Sequence, residues 1–489
     1  MSFLNTSPGA LATAAGDLTN IREVANDATA FASRSTTGIL TAGADEVSTA
    51  ITALFNNHAQ TFNALAAQGE SFHKQFASLL SGAGNTYEGT EQAALQSLRD
   101  AVTEVEQPFI PVLTQALGSF GFGTGQLPTP PLPTAPPGQP VALLVGGTGY
   151  PVLGGWFPGV IQQLYFPSIT NYGSIFTPEQ LWPITPWLGG QTLGQSVANG
   201  VPLLNAAINT ELARGNPVTV WGTSQGSTVA DLEIRSLMAQ GSPNANQLSF
   251  ILTGNPENPN GGILERFVGA YIPVLDLYGY GATPPNAPYH ITMVTNEYDG
   301  VSDFPQYPLN LVSDLNAGAG FLLGGDHDYA PYPTAGTVQL PTSPGYTGNT
   351  TYLFNLEQNV PLLTPLRQYL PAPYGNAFAD LLQPDVRVIV DMGYGTGEYA
   401  NIPTPTSLFE LPNPFTILPD LATGTIQGPQ AFLHDLGFPV NMPTGYPMDP
   451  ELNPDLNFPL PQTSTTGLSL LLGAEGDATK LLGLEPGWD

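Results

Sequence analysis

Apolar and polar positions change rhythm along the chain. Between about Ala10 and Thr90 proline is absent and apolar residues recur every three or four positions, which predicts helices over residues 11–35 and 44–80. In the second helix Val47, Ile51, Leu54, His58, Phe62, Leu65, Phe72, Phe76 and Leu79 fall on one stripe, and "TTGILTAGAD" between the helices is a turn. The pattern is therefore an antiparallel helical hairpin. Two helices bury such a stripe poorly, so it requires either a partner or the rest of its own chain.

Residues 92–122 keep a helical rhythm that loosens into "GFGTGQLPTPPLPTAPPGQP". Seven prolines from Pro128 to Pro140 make a stiff, solvated spacer, and this is the domain boundary. Beyond it come short apolar runs, "VALLV", "VTVWG", "LSFILTG" and "HITMVTN", alternating with helical stretches such as "SVANGVPLLNAAINTEL". That alternation predicts an α/β domain, a mainly parallel sheet covered on both faces. From about Asn401 onward Pro, Gly, Asn and Thr dominate, predicting an irregular, partly disordered extension. The expected organisation is a hairpin over 1–92, a helical then proline-rich linker over 93–140, the α/β domain over 141–400 and the extension over 401–489.

Composition narrows the partners. Ten Lys and Arg stand against 39 Asp and Glu, a formal net charge of −29, so the basic face that nucleic acid requires is missing. An apolar surface for neutral or lipid-like molecules stays open. The absence of cysteine excludes disulfides and thiolate metal sites but leaves the compartment undetermined. The first residues, "MSFLNTSPGALATAAGDL", lack the basic and apolar regions of a cleaved leader, and nowhere do about 18 apolar residues run together as a membrane-spanning helix requires.

The chemistry centres on "VTVWGTSQGSTVA", residues 218–230. Gly222-Thr223-Ser224-Gln225-Gly226 fits G-x-S-x-G between a strand and a helix, and it is the only match in the chain. The glycines allow a sharp, strained corner that lifts the serine hydroxyl off the strand end. The helix N-terminus and the Gln225 amide would face a developing oxyanion. The "VGGTGY" loop fails the dinucleotide pattern G-x-G-x-x-G and reads instead as an oxyanion loop, with amides near Gly147 and Thr148 as the second donor.

A nucleophilic serine needs a base and an orienting acid, which follow it in chain order in this arrangement. Of five histidines, His58 and His73 precede the linker, His290 opens a strand and His434 precedes the proline-rich extension. His327, on the glycine-flanked loop "GGDHDY", is left. For the acid, Asp299 in "YDG" is preferred because it falls at a strand end, with Asp303 in "SDFP" its rival; Asp326 and Asp328 flank His327 and rank lower, since sequence neighbours seldom point at the same ring. Trp156, Phe157, Tyr165, Phe166, Phe176, Trp182 and Trp187 concentrate after the glycine loop, as core, as lid or as a groove for an acyl chain.

Residues 1–92 resemble the N-terminal domain of the mycobacterial PE family, through "DLTNI", "TAGADEVSTAI", "FNNHAQTFNALAAQGESFHKQF" and "AGNTY". Residues 141 to about 400 resemble the PE-PPE domain, a serine α/β-hydrolase related to cutinases, through "GGTGYP", "GTSQGS", "YDGVSDFP" and "DVRVIVDMGYG". The dipeptide that names the PE family falls here on Pro8-Gly9, which puts any pairing role of the missing glutamate in doubt. The resemblance implies export by type VII secretion, for which Tyr87 and Glu91 supply the Y-x-x-x-[DE] pattern, and a PPE-type helical partner for the apolar stripe.

Together these readings describe an exported serine esterase or lipase acting on acyl esters, with no metal or cofactor required. Ser224 is the nucleophile, His327 the base and Asp299 the acid, with Asp303 its rival. An acyltransferase that delivers the acyl chain to a trehalose-like acceptor uses the same intermediate, and a catalytically silent surface or adaptor protein is the non-enzymatic alternative.

Overall fold

The computed structural model describes residues 135–481, apart from 274, 325–326, 328, 330–336, 396, 398 and 409, together with scattered positions between 19 and 74. The chain divides into two compact units, Met1–Gln115 and Ala116–Asp489.

In the first unit the described positions from 19 to 36 and from 48 to 74 are helical, with Thr37 and Gly38 in a turn. Asn63 Nδ2 donates to Ser33 Oγ (3.0 Å) and the Gly38 amide to Asn56 Oδ1 (2.9 Å). Partners that converge from both sides of the turn define an antiparallel hairpin. The apolar stripe, Tyr87 and Glu91 lie outside the described residues.

The second unit is built on a sheet in the order β2-β1-β3-β4-β7-β9-β8. Its strands are β1 (Val141–Val145), β2 (Asn171–Ser174), β3 (Val218–Thr223), β4 (Leu248–Thr253), β7 (His290–Asn296), β8 (Val338–Gln339) and β9 (Thr350–Asn355). Every neighbouring pair is parallel except β8 with β9, and β5 (Tyr271–Ile272) and β6 (Leu277–Tyr278) form a separate hairpin. Side chains of a strand alternate between faces, and β1 serves two cores accordingly. Val141, Leu143 and Val145 join Val197, Leu204 and Ile208, whereas Ala142 and Leu144 join Trp221 and Ile161. The first set belongs to the side of α2 (Leu193–Leu212), the second to the side of α1 (Phe157–Tyr165). Phe157 and Tyr165 set their rings against Trp221 at 6.4 and 6.0 Å, and Phe166 is buried beside them. Trp156 stays largely exposed, so the aromatic stretch divides between core and surface.

The stretch after Asn401 departs from the sequence expectation. Much of it is helical: α8 (Pro414–Asp435) and α9 (Gly467–Leu481). Two prolines inside α8, Pro419 and Pro429, argue locally against a helix. Packing overrides them: Gly424, Gln427, Gly428 and Ala431 form a buried stripe of mostly small residues against α7 (Tyr374–Asp391). Among the described residues no helix is long and apolar enough to cross a membrane.

Candidate active site

In this sheet the chain runs from β1 to β2 on one side and then crosses to β3 on the other. The crevice at the carboxyl ends of β1 and β3 is thus a topological switch point, where open α/β sheets hold their ligands. Both glycine-containing motifs of the sequence end there.

Ser224 follows β3 directly and has φ 54° and ψ −123°, a strained conformation for a residue with a side chain. Its amide donates to the Thr253 carbonyl (3.0 Å), which fixes the corner to the end of β4. Gln225 opens α3 (Gln225–Ala239), so its amide belongs to the first turn, whose N–H groups have no partner within the helix. The β1 loop comes close: a Cβ placed on Gly147 would lie 3.0 Å from Ser224 Cβ, so a larger residue there crowds the serine. Thr148 Oγ1 donates to Gln225 Oε1 (2.8 Å) and Gln225 Nε2 to Ser196 Oγ (2.6 Å). Ser196, which sequence reasoning missed, therefore holds the Gln225 side chain from α2, and through it Thr148.

His327 is brought to Asp299. Its Nδ1 lies 2.9 and 3.0 Å from the two carboxylate oxygens, and Asp299 is fully buried. Val301 N (3.0 Å), Ser302 Oγ (2.6 Å) and Tyr329 Oη (2.7 Å) also donate to that carboxylate. Burial alone would push Asp299 up, but the His327 charge and the hydrogen bonds of His327, Ser302 and Tyr329 hold it below its ordinary range. With Nδ1 engaged, Nε2 is the remaining ring nitrogen; it is buried and, among the described residues, has no hydrogen-bond partner, Ser224 Oγ included. The ring rests on Gly254, φ 55°, where an added Cβ would meet His327 Cε1 at 2.8 Å. Gly254 directly follows Thr253, the residue that holds Ser224, so the imidazole and the serine share one strand end.

The other sequence candidates go elsewhere. Asp303 accepts from the Tyr298 amide (2.9 Å), and burial pushes it up to about 7. His290 stands at the exposed start of β7, the far end from Asp299, and His434 is exposed beside Asp435 (3.4 Å) at the end of α8. His58, His73, Asp326 and Asp328 lie outside the described residues.

Glu179 is a second group invisible to the sequence reading. It is fully buried at φ 47°, its carbonyl accepts from the Gly149 amide of the glycine loop (2.9 Å), and among the described residues neither carboxylate oxygen makes a close hydrogen bond, the Thr177 hydroxyl offsetting its burial only in part. Burial pushes it up to about 8. In an unfolded chain a glutamate titrates near ~4.3, so the folded state favours the neutral acid. Its stabilising contribution is complete below that pH and is lost as pH rises through about 8. Glu265 and Asp303, pushed by burial to about 7, act in the same direction. Thermal melts of the wild-type chain are thus expected to fall between pH 5 and pH 8. Glu179→Gln, neutral throughout, should melt higher than wild type at pH 8, by on the order of several kcal/mol in stability, and show a shallower fall. Parallel melting curves for the two proteins would refute this.

The sheet order, the strained serine corner on β3 and the histidine–aspartate pair beyond the later strands define the α/β-hydrolase class. A profile of the PE-PPE domain matches residues 168–395, and a profile of the PE family matches residues 4–94. PE family protein PE3 of Mycobacterium tuberculosis (strain ATCC 25618 / H37Rv) is 43% identical over 493 residues, covering 99% of each chain. Esterase PE16 of the same strain is 39% identical over 447 residues, 89% of this chain and 78% of that protein. Among solved structures, a novel cutinase-like protein from Cryptococcus sp. aligns with a TM-score of 0.24 at 21% identity, over 34% of this chain and 79% of that one. The chain belongs to the PE family.

Proposed function

We propose that the chain is an exported serine esterase, hydrolysing acyl esters through an acyl-enzyme. The observation that carries this reading is the His327–Asp299 pair, whose ring rests on Gly254, the residue after the Thr253 carbonyl that holds the strained Ser224 corner, with Nε2 buried and unpartnered among the described residues. In this reading Nε2 takes the Ser224 proton as Oγ attacks the ester carbonyl, and Asp299 stabilises the imidazolium. The first-turn amide of Gln225 and the Gly147–Thr148 loop receive the charge on the carbonyl oxygen. The imidazolium then protonates the departing alcohol, and water repeats the sequence in reverse to release the acid.

An acyl substrate suits the surroundings. Phe321 sets its partly exposed ring 5.2 Å from His327, and exposed Tyr150 and Trp156 follow the glycine loop. The esterase name of a relative matched over most of its length supports the same reaction class. Export by the type VII route rests on family membership and on Tyr87 and Glu91. Pairing of the hairpin with a PPE-type protein rests on the family and on the apolar stripe.

The test is hydrolysis of a p-nitrophenyl ester series, run with and without a trehalose-like acceptor and alongside a serine-directed fluorophosphonate. Ester turnover and covalent labelling of Ser224 are expected. Turnover only with the acceptor would replace hydrolysis by acyl transfer. A chain that neither turns over nor labels would be the silent adaptor.

A further inference from the structure

Tyr329 lies two residues beyond His327 and is buried, at 2% exposure. Its two polar ends are tied to different parts of the fold. Oη donates to Asp299 Oδ2 (2.7 Å), accepts from the Asn296 amide (3.1 Å) and lies 2.9 Å from Ser302 Oγ. The backbone carbonyl accepts from Tyr165 Oη of α1 (2.9 Å). The ring stands edge-on to the imidazole, 6.1 Å between centroids at 88°, and both rings press on Gly254.

We propose that Tyr329 is the positioning residue of the site: held to Asp299 by its hydroxyl and to α1 by its carbonyl, it props the His327 ring edge-on, and its hydroxyl spreads the aspartate charge that the imidazole faces. The proposal rests on the reading of Ser224, His327 and Asp299 as the reacting set. A buried carboxylate needs donors on both oxygens, and Tyr329 and Ser302 together serve Oδ2 while Val301 serves Oδ1. Removing the tyrosine hydroxyl leaves Oδ2 with Ser302 and the His327 ring and takes one acceptor from the Asn296 amide. The remaining charge is more concentrated and attracts the imidazole proton more strongly. Burial and the Asp299 charge keep the phenol well above its ordinary range, so it stays a donor across the working pH. The other charged group that bears on Asp299 is Asp303, itself facing Arg266, and the substitution alters neither.

The experiment compares wild type with Tyr329→Phe in the full chain. The variant is expected to lose roughly tenfold to a hundredfold in kcat with KM nearly unchanged, as a loosened base implies. The acid limb of its kcat/KM profile should move to higher pH, and the ring titration of His327, followed by nitrogen NMR and assigned through His327→Ala, should move with it. A purely packing role would lower the melting temperature and move neither. Placing 3-fluorotyrosine at 329, a stronger donor of the same shape, should displace the His327 titration to lower pH, and serves if the phenylalanine variant does not fold. An unmoved titration in the folded variants would overturn the proposal. If wild type itself hydrolyses no ester, the esterase reading fails, and the NMR comparison still decides what Tyr329 does.

Discussion

Ser224→Ala should reduce ester hydrolysis by roughly 10⁴-fold or more while leaving the melting temperature close to wild type. The large loss follows from the corner: the hydroxyl is the atom that the strained φ of 54° presents. The small stability change follows from the amide, which keeps its bond to Thr253 whatever the side chain. His327→Ala should cost about as much, and the double variant little more than either alone, because groups that act in one step cannot be lost twice. Activity in Ser224→Ala within tenfold of wild type would require another nucleophile.

The second large effect separates the two acids that sequence left open. Asp299→Asn is expected to lose roughly 10⁴-fold in kcat, because an amide nitrogen facing Nδ1 favours the wrong tautomer and removes the charge that stabilises the imidazolium. Asp303→Asn should stay within about tenfold, because it keeps an acceptor for the Tyr298 amide and never touches the ring. At pH 7 the substitution removes only about half a charge, Asp303 being pushed up to about 7. Kinetics at pH 7 and pH 8 for both variants check this. The reverse ranking would move the orienting role to Asp303.

The strands at the centre of the sheet were legible because each is short, apolar and bounded by turn residues, and the serine corner was legible because its glycines are forced by sterics. His327 could be reached by elimination because the chain has only five histidines. Asp299 was preferred to Asp303 for its place at the strand end, and the ring contact falls on Asp299; Asp303 stayed a rival because it lies only four residues on in the same loop and is buried too. Tyr329, Ser302 and Ser196 were missed because each acts through contacts across the fold, 27 residues apart for Ser302 and Tyr329, and 29 for Ser196 and Gln225. The only local trace was the tyrosine of "GGDHDY". The helix over 414–435 was hidden by prolines whose local penalty is met by packing on α7.

Trp221 has a consequence for how the protein can be observed. It is fully buried three residues before Ser224, and its ring contacts Tyr165, whose hydroxyl holds the Tyr329 carbonyl. An indole placed there is a built-in fluorophore, wired through one phenol to Tyr329, whose ring stands against the histidine. With the other four tryptophans replaced, its emission would report whether Tyr165 and Tyr329 stay joined even when no bond is being broken.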